Sequence, residues 1–140
     1  MRHLLLIITL VVSYSFIVQQ DTKTISGKWS LVCISNLLTG KQLLRPTDYN
    51  SSQLTFEFKD NGKNGIISGT TVDNHMGGGY TIKDSSKITF SNYVSTLVGE
   101  HGWGSSFQEQ IQNANSFTCS QDSLLICFND NKEVLKFIRR

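Results

Sequence analysis

The sequence predicts a chain that is mainly β with one helix, an α+β arrangement. The expected form is a compact antiparallel sheet or partial barrel of about eight short strands packed on a single late helix. Three observations predict it. Leu54, Phe56 and Phe58 alternate with Thr55, Glu57 and Lys59, the period of two that a half-buried strand requires. Trp103, Phe107, Ile111 and Ala114 recur at spacings of four, four and three, one apolar stripe on a helix. Dense turn chemistry at Asp60-Asn61-Gly62-Lys63-Asn64-Gly65 and Asn129-Asp130-Asn131-Lys132 separates short apolar runs, because Asn and Gly tolerate positive φ.

Taken in order, Gly27 to Ile34 reads as a strand with Trp29 and Leu31 on one face. Residues 35–52 are polar, include Gly40 and Pro46, and read as a long connection. The Leu54–Lys59 strand turns at Asp60–Gly65 and returns through Ile66 to Gly69. Tyr80 and Ile82 mark a short strand and Lys87 to Phe90 another. The helix spans Trp103 to Asn115, with Ser105-x-x-Gln108 and Ser106-x-x-Glu109 both matching the capping-box pattern at its start. Ser116 to Cys119, Ser123 to Phe128 and Glu133 to Ile138 complete the sheet. A half-apolar sheet cannot bury its own face, so it must fold over the helix or close on itself.

The first residues, MRHLLLIITLVVSYSFIVQQ, have a positive start, an apolar run from Leu4 to Val12 and a small-x-small pattern at Ser13-Tyr14-Ser15. This is the layout of a secretory signal peptide over residues 1–20, cleaved after about residue 15 to 20; an uncleaved anchor is the alternative. Residues 21–140 then form one domain, exported and without a stable membrane span after cleavage. Without Arg2 the thirteen basic residues become twelve, against eleven acidic ones, and no Lys/Arg stripe stands out, which excludes nucleic acid as the partner class. An exported chain meets oxidising conditions, and three cysteines leave an odd one. Cys119 and Cys127 flank a turn and are candidates for a disulfide, beside a bridge to Cys33 or three reduced thiols. Asn50-Ser51-Ser52 is the N-glycosylation sequon.

The stretch SGTTVDNHMGGGY, residues 68–80, has three readings. A phosphate cradle needs its glycines between a strand and a helix N-terminus, and Gly77-Gly78-Gly79 leads into strand-like Tyr80-Thr81-Ile82 instead. A metal site needs three or four converging ligands; Asp73 and His75 share a face, but no spaced motif supports them, nor Glu100-His101. The third reading is geometry, with glycine used where a side chain would clash. No catalytic residue, cofactor or metal is expected.

SGTTVDNHMGGGYTI followed by KITFSNYVST resembles the central signature of the META domain, or HslJ-like, family. The matching positions are Gly69, Thr71, Asn74, Gly77 or Gly78, Tyr80, Ile88, Phe90 and Ser95-Thr96. GKWSLVCI, with Trp29 and Leu31, is similar to the family's first strand, and the resemblance runs over residues 26–138. Many bacterial members carry Cys-Asn where this chain has Asp73-Asn74, and the triple glycine is longer than usual. The resemblance implies a mostly antiparallel β domain with a packed helix, often secreted or membrane-attached. It also implies links to heat-shock response, antibiotic tolerance, motility and parasite virulence, and no established catalytic activity.

Two function classes follow. One is a non-enzymatic, monomeric interaction module for a protein or small-molecule partner, with the glycine stretch, Tyr49, Tyr93 and Glu100–Trp103 as candidate exposed features. The other is a lipocalin-like carrier of an apolar ligand, for which Gly27-x-Trp29 and a covering Arg139 speak. A carrier requires an open apolar cavity. A hydrolase lacks a Gly-x-Ser-x-Gly elbow and an orienting acid apparent beside His75 or His101.

Overall fold

Antiparallel pairing runs unbroken around the molecule until the sheet meets itself. A computed structural model describes residues 24–46, 54–96 and 98–140. Its elements are β1 (Gly27–Asn36), β2 (Gln42–Leu44), β3 (Thr55–Asp60), β4 (Asn64–Thr70), β5 (His75–Lys83), β6 (Lys87–Ser95), α1 (Gly102–Ile111), β7 (Ala114–Cys119), β8 (Ser123–Phe128) and β9 (Glu133–Arg139). Strand β1 pairs with β3 on one side and with β9 on the other, so eight strands close into a barrel. Closure removes the exposed sheet edges that invite aggregation. The short β2 pairs with the far end of β1 and projects from the barrel as a hairpin. The weakest seam is β6–β7, which shares a single rung, Lys87 with Ser116.

Alternation places the large side chains inside. Trp29, Leu31, Phe56, Phe58, Tyr80, Ile126 and Phe137 are all buried, while Glu57, Lys59, Lys83, Lys87 and Lys136 line the outer wall. The inner row of β4 is Gly65, Ile67 and Gly69, small-large-small. A Cβ on Gly69 would stand 2.6 Å from the Phe56 ring, and one on Gly65 would stand 2.6 Å from the Tyr80 hydroxyl. The aromatic rings therefore occupy the space those glycines leave. Phe56, Phe107 and Phe137 meet in stacked and edge-on geometry, with Phe56 and Phe107 centroids 4.6 Å apart. Each fully buried side chain of this size stabilises the fold by roughly 1.5–3 kcal/mol.

Helix α1 joins the end of β6 to the start of β7 and lies across that end of the barrel. It buries Trp103, Gly104, Phe107 and Ile111, the predicted stripe. Phe107 enters the barrel and reaches Phe56 and Phe137. At the other end, the Trp29 indole donates to the Ile25 carbonyl at 2.9 Å, and the Arg139 guanidinium lies 4.3 Å over the Trp29 ring.

Four expectations are corrected. Residues 35–52 are not all connection, because they include β2; its three residues are all exposed, so no buried face marked it. The glycine stretch is not a loop throughout, since Gly77 to Gly79 lie within β5, held by rungs to β4 and β6. Helix α1 begins earlier and ends earlier than predicted. Its N-cap is His101, without a side-chain cap bond; Ser105 and Ser106 sit inside the helix, and Ala114 belongs to β7. No disulfide links Cys119 and Cys127. The register pairs Cys119 with Leu124 and Cys127 with Ser116. Paired residues share a face, so Cys119 turns toward the core with Leu124 and Cys127 turns outward. The signal-peptide residues, Tyr49 and the Asn50 sequon lie outside the described residues.

Candidate functional site

The signature residues divide into two groups. Trp29, Gly69 and Tyr80 serve the barrel interior. Thr71, Asn74 and Thr96 converge at the helix-covered end, where the β4–β5 turn, the end of β6 and the approach to α1 meet. They close on Glu100, a partner that the sequence did not identify. Glu100 Oε2 accepts from the Thr71 hydroxyl, from the Asn74 amide at 2.7 Å and from the Gln108 amide at 3.0 Å. Its Oε1 accepts from the Asp73 backbone N–H at 3.1 Å. Asn74 Oδ1 in turn accepts from the Thr96 hydroxyl at 2.7 Å and the Val98 N–H at 3.1 Å, and its amide also donates to the Val98 carbonyl at 2.9 Å.

Asn74 therefore bridges two chain segments and a carboxylate, using both ends of its amide. It is 4% exposed and Thr71 2%. Buried polar groups cost free energy unless partnered, and here each has several partners. Alongside, His101 Nδ1 lies 2.9 Å from Asp73 Oδ2, so Asp73 meets His101 rather than His75. The Tyr93 hydroxyl is buried here, beside Ser95 and Glu100. Burial, then the negative charge of Glu100, pushes its pKa up, so it stays neutral. The described residues hold no group of three His, Cys, Asp or Glu placed to bind a metal ion.

The chemistry of this cluster is that of a lock. A Thr hydroxyl against a carboxylate has the form of an activated nucleophile, but a hydroxyl at 2% exposure has no access to a substrate. The glycines of β5 are likewise not a cradle. A Cβ on Gly77 would meet only the Ile67 carbonyl, at 3.5 Å. The bare backbone there floors a groove of about 330 Å³ lined by His75, Met76, Gly77, Val94, Ser95 and Thr96. Of the sequence candidates for exposed features, Trp103 is buried and Tyr93 half-buried, whereas His101 is exposed. Exposed leucines on β2 and its turn were missed, because they fell in a stretch read as connection.

Apolar exposure is uneven. The described residues include eight exposed large hydrophobic side chains: Leu37, Leu38, Leu43, Leu44, Val94, Val98, and, elsewhere, Ile66 and Ile138. The first six lie at the helix-covered end, on the β1–β2 hairpin and on the β6 side of the barrel mouth.

These features define a class: a small closed antiparallel barrel, filled by aromatic side chains, covered at one end by a helix and locked there by an Asn–Glu cluster. The chain belongs to the META domain family, whose model matches residues 22–140. META is not a known enzymatic family. The barrel is similar to the NMR structure of a protein from Burkholderia xenovorans, with a TM-score of 0.64, 16% identity and 82% of each chain covered. It is also similar to the crystal structure of a DUF4847 family protein from Bacteroides vulgatus, with a TM-score of 0.59, 14% identity, and 82% of this chain and 93% of that chain covered. At these identities the likeness is one of fold alone. A search of curated protein sequences finds no match.

Proposed function

We propose that this protein is an exported, non-enzymatic interaction module that recognises its partner through the helix-covered end of the barrel. The observation that carries the reading is that six of the eight exposed large apolar side chains among the described residues lie at that end. Exposed apolar groups brought together on a small protein mark interaction surfaces. The Asn74–Glu100 lock at this end ties the β4–β5 turn to Thr96, Val98 and Glu100, which lowers the ordering cost of binding. A role in stress response, secretion or virulence is part of this proposal, drawn from the family resemblance, and the N-terminal apolar run with its small-x-small pattern supports export.

A carrier is less well supported. The barrel interior is occupied by Trp29, Phe56, Phe58, Tyr80, Phe107 and Phe137, which leaves an apolar ligand no room of the kind a carrier barrel encloses. Arg139 does cover Trp29 as a carrier would have it, but that contact closes the barrel floor and lines no cavity.

Hydroxyl-radical footprinting of the protein in its own extracellular milieu tests the reading. Protection is expected at Leu37, Leu38, Leu43, Leu44, Val94 or Val98 and not at Ile66 or Ile138. Equal labelling at all of them with and without the milieu would reject it.

A further inference from the structure

We propose that the β1–β2 hairpin is a membrane-docking tip that sets Leu37, Leu38, Leu43 and Leu44 into the interfacial layer of an anionic lipid bilayer, with Lys41 and Arg45 at the headgroups. The proposal rests on the reading of the helix-covered end as the recognition surface, and it names the partner of one part of that end. The four leucines are 60%, 73%, 43% and 62% exposed. Leu43 and Leu44 are neighbours on a strand and so face opposite ways, yet both are open. The hairpin thus stands clear of the barrel and shows apolar side chains on both faces.

The backbone of the tip is prepared for a dry setting. Every amide from Leu37 to Lys41 has an acceptor within the protein. Leu37 donates to the Lys132 carbonyl at 2.7 Å, Leu38 and Thr39 to Asn36 Oδ1 at 3.0 and 2.9 Å, Gly40 to the Asn36 carbonyl at 2.9 Å, and Lys41 to Thr39 Oγ1 at 3.3 Å. Asn36 is itself anchored to Glu133 Oε1 at 3.1 Å. Unpaired backbone groups are costly where water is scarce, so a tip with its amides already bonded enters lipid at lower cost. Gly40, at φ +69°, makes the turn that this bonding needs.

Charge supports an anionic surface. Residues 37–46 carry Lys41 and Arg45 and no acid. The adjoining β8–β9 turn and the start of β9 add Lys132, Asp130 and Glu133, so three cations face two acids and the balance stays positive. A flexible basic side chain beside exposed leucines matches an interface where apolar groups sink and cations stay at the phosphates. The same residues argue against a second copy or a peptide strand as the occupant. Strand β2 is three residues long and is flanked by Lys41, Arg45 and Pro46, the devices that blunt an edge against strand pairing.

The test uses the full chain with Leu38→Trp, read by fluorescence against vesicles of phosphatidylcholine with and without phosphatidylglycerol. The native Trp29 and Trp103 are 0% and 3% exposed and give a steady background. Expected is a blue shift, and quenching by brominated lipid, in Leu38→Trp and not in Ile66→Trp, strongest on the anionic vesicles. Lys41→Glu with Arg45→Glu is expected to weaken vesicle partition by about thirtyfold or more. If the protein sediments with vesicles while Leu38→Trp keeps its emission, lipid is held elsewhere, the N-terminal apolar run included, and the proposal falls. A blue shift that rises with protein concentration in the absence of vesicles would overturn it in favour of self-association. Footprinting protection at Val94 and Val98 without any lipid response at Leu38 would defeat this proposal and leave the broader reading of the barrel end standing.

Discussion

Each end of the barrel is tied by a carboxylate, yet the two ends present opposite surfaces. At the end without the helix, Asp60 accepts from the Tyr80 hydroxyl at 2.8 Å, the Ile25 N–H at 3.1 Å and the Gly62 N–H at 2.8 Å. At the helix-covered end, Glu100 accepts from Thr71, Asn74, Gln108 and the Asp73 N–H. Both knots join strand ends that are distant in sequence. A glycine packs closely against each: Gly65 against Tyr80 and Asp60, and Gly104 against Glu100 and Val72. Above Asp60 the turns are polar, with Asn61, Gly62 and Lys63. Above Glu100 the rims carry leucine and valine. The lesson is that rigidity is shared between the two ends and apolar exposure is not, because the same kind of lock supports a polar turn in one place and apolar side chains in the other.

The largest expected effect breaks the Glu100 knot. Asn74→Ala removes the acceptor of the Thr96 hydroxyl and the Val98 N–H and a donor to half-buried Glu100, all from a position that is itself buried. A loss of about 3 kcal/mol in urea unfolding is expected. A loss below about 1 kcal/mol would mean that water replaces Asn74 freely and that the knot is no lock.

Next comes the pair of glycines. Gly65→Ala forces a methyl group into the Tyr80 ring and the Asp60 side chain, and is expected to cost about 2 kcal/mol. Gly104→Ala meets Glu100 and Val72, but gains helix propensity of about 1 kcal/mol, so a smaller net loss of about 1 kcal/mol is expected. Equal losses would show that the helix-covered end is as tightly filled as the other.

The smallest effect is the most informative about charge. For Asp60, burial alone would raise the carboxyl pKa, but bonds from Thr24, Tyr80, Gly62 and Ile25 outweigh it and hold the group below its ordinary value. Its folded pKa is thus lower than its unfolded one. The stability it contributes is present above the ordinary carboxyl pKa of about 4 and is lost as pH falls through the lowered value. Tyr80→Phe removes one donor and is expected to cost about 1 kcal/mol near neutral pH, with the gap to the native protein narrowing as the pH is taken below about 4. A gap that stays constant down to acid conditions would mean that Tyr80 acts through packing and not through Asp60.

The barrel was legible where one face is buried. Alternation at Leu54–Lys59 and the helical stripe from Trp103 both survive in the structure, because burial selects side chains at the period of the element. β2 was hidden because none of its residues is buried, and the strand character of Gly77–Gly79 because glycine carries no pattern of polarity. Thr71, Asn74 and Thr96 were named through resemblance, but their common partner was not. Glu100 is 29 residues from Thr71 and 26 from Asn74 in the chain, a separation at which local spacing carries no signal. The Cys119–Cys127 pairing failed by register, since a turn centre read from sequence fixes which residues lie near each other but not which ones are opposed.

The seam between β1 and β9 has a consequence for how the molecule is made. The first strand of the wall finds half of its partners only in the last, so a chain entering any compartment from its N-terminus holds a gap in the cylinder until the seven residues of β9 have arrived. Contacts of such long sequence separation form late and slowly. The cylinder cannot seal before β9 is present, so barrel closure is the step that supplies this strand.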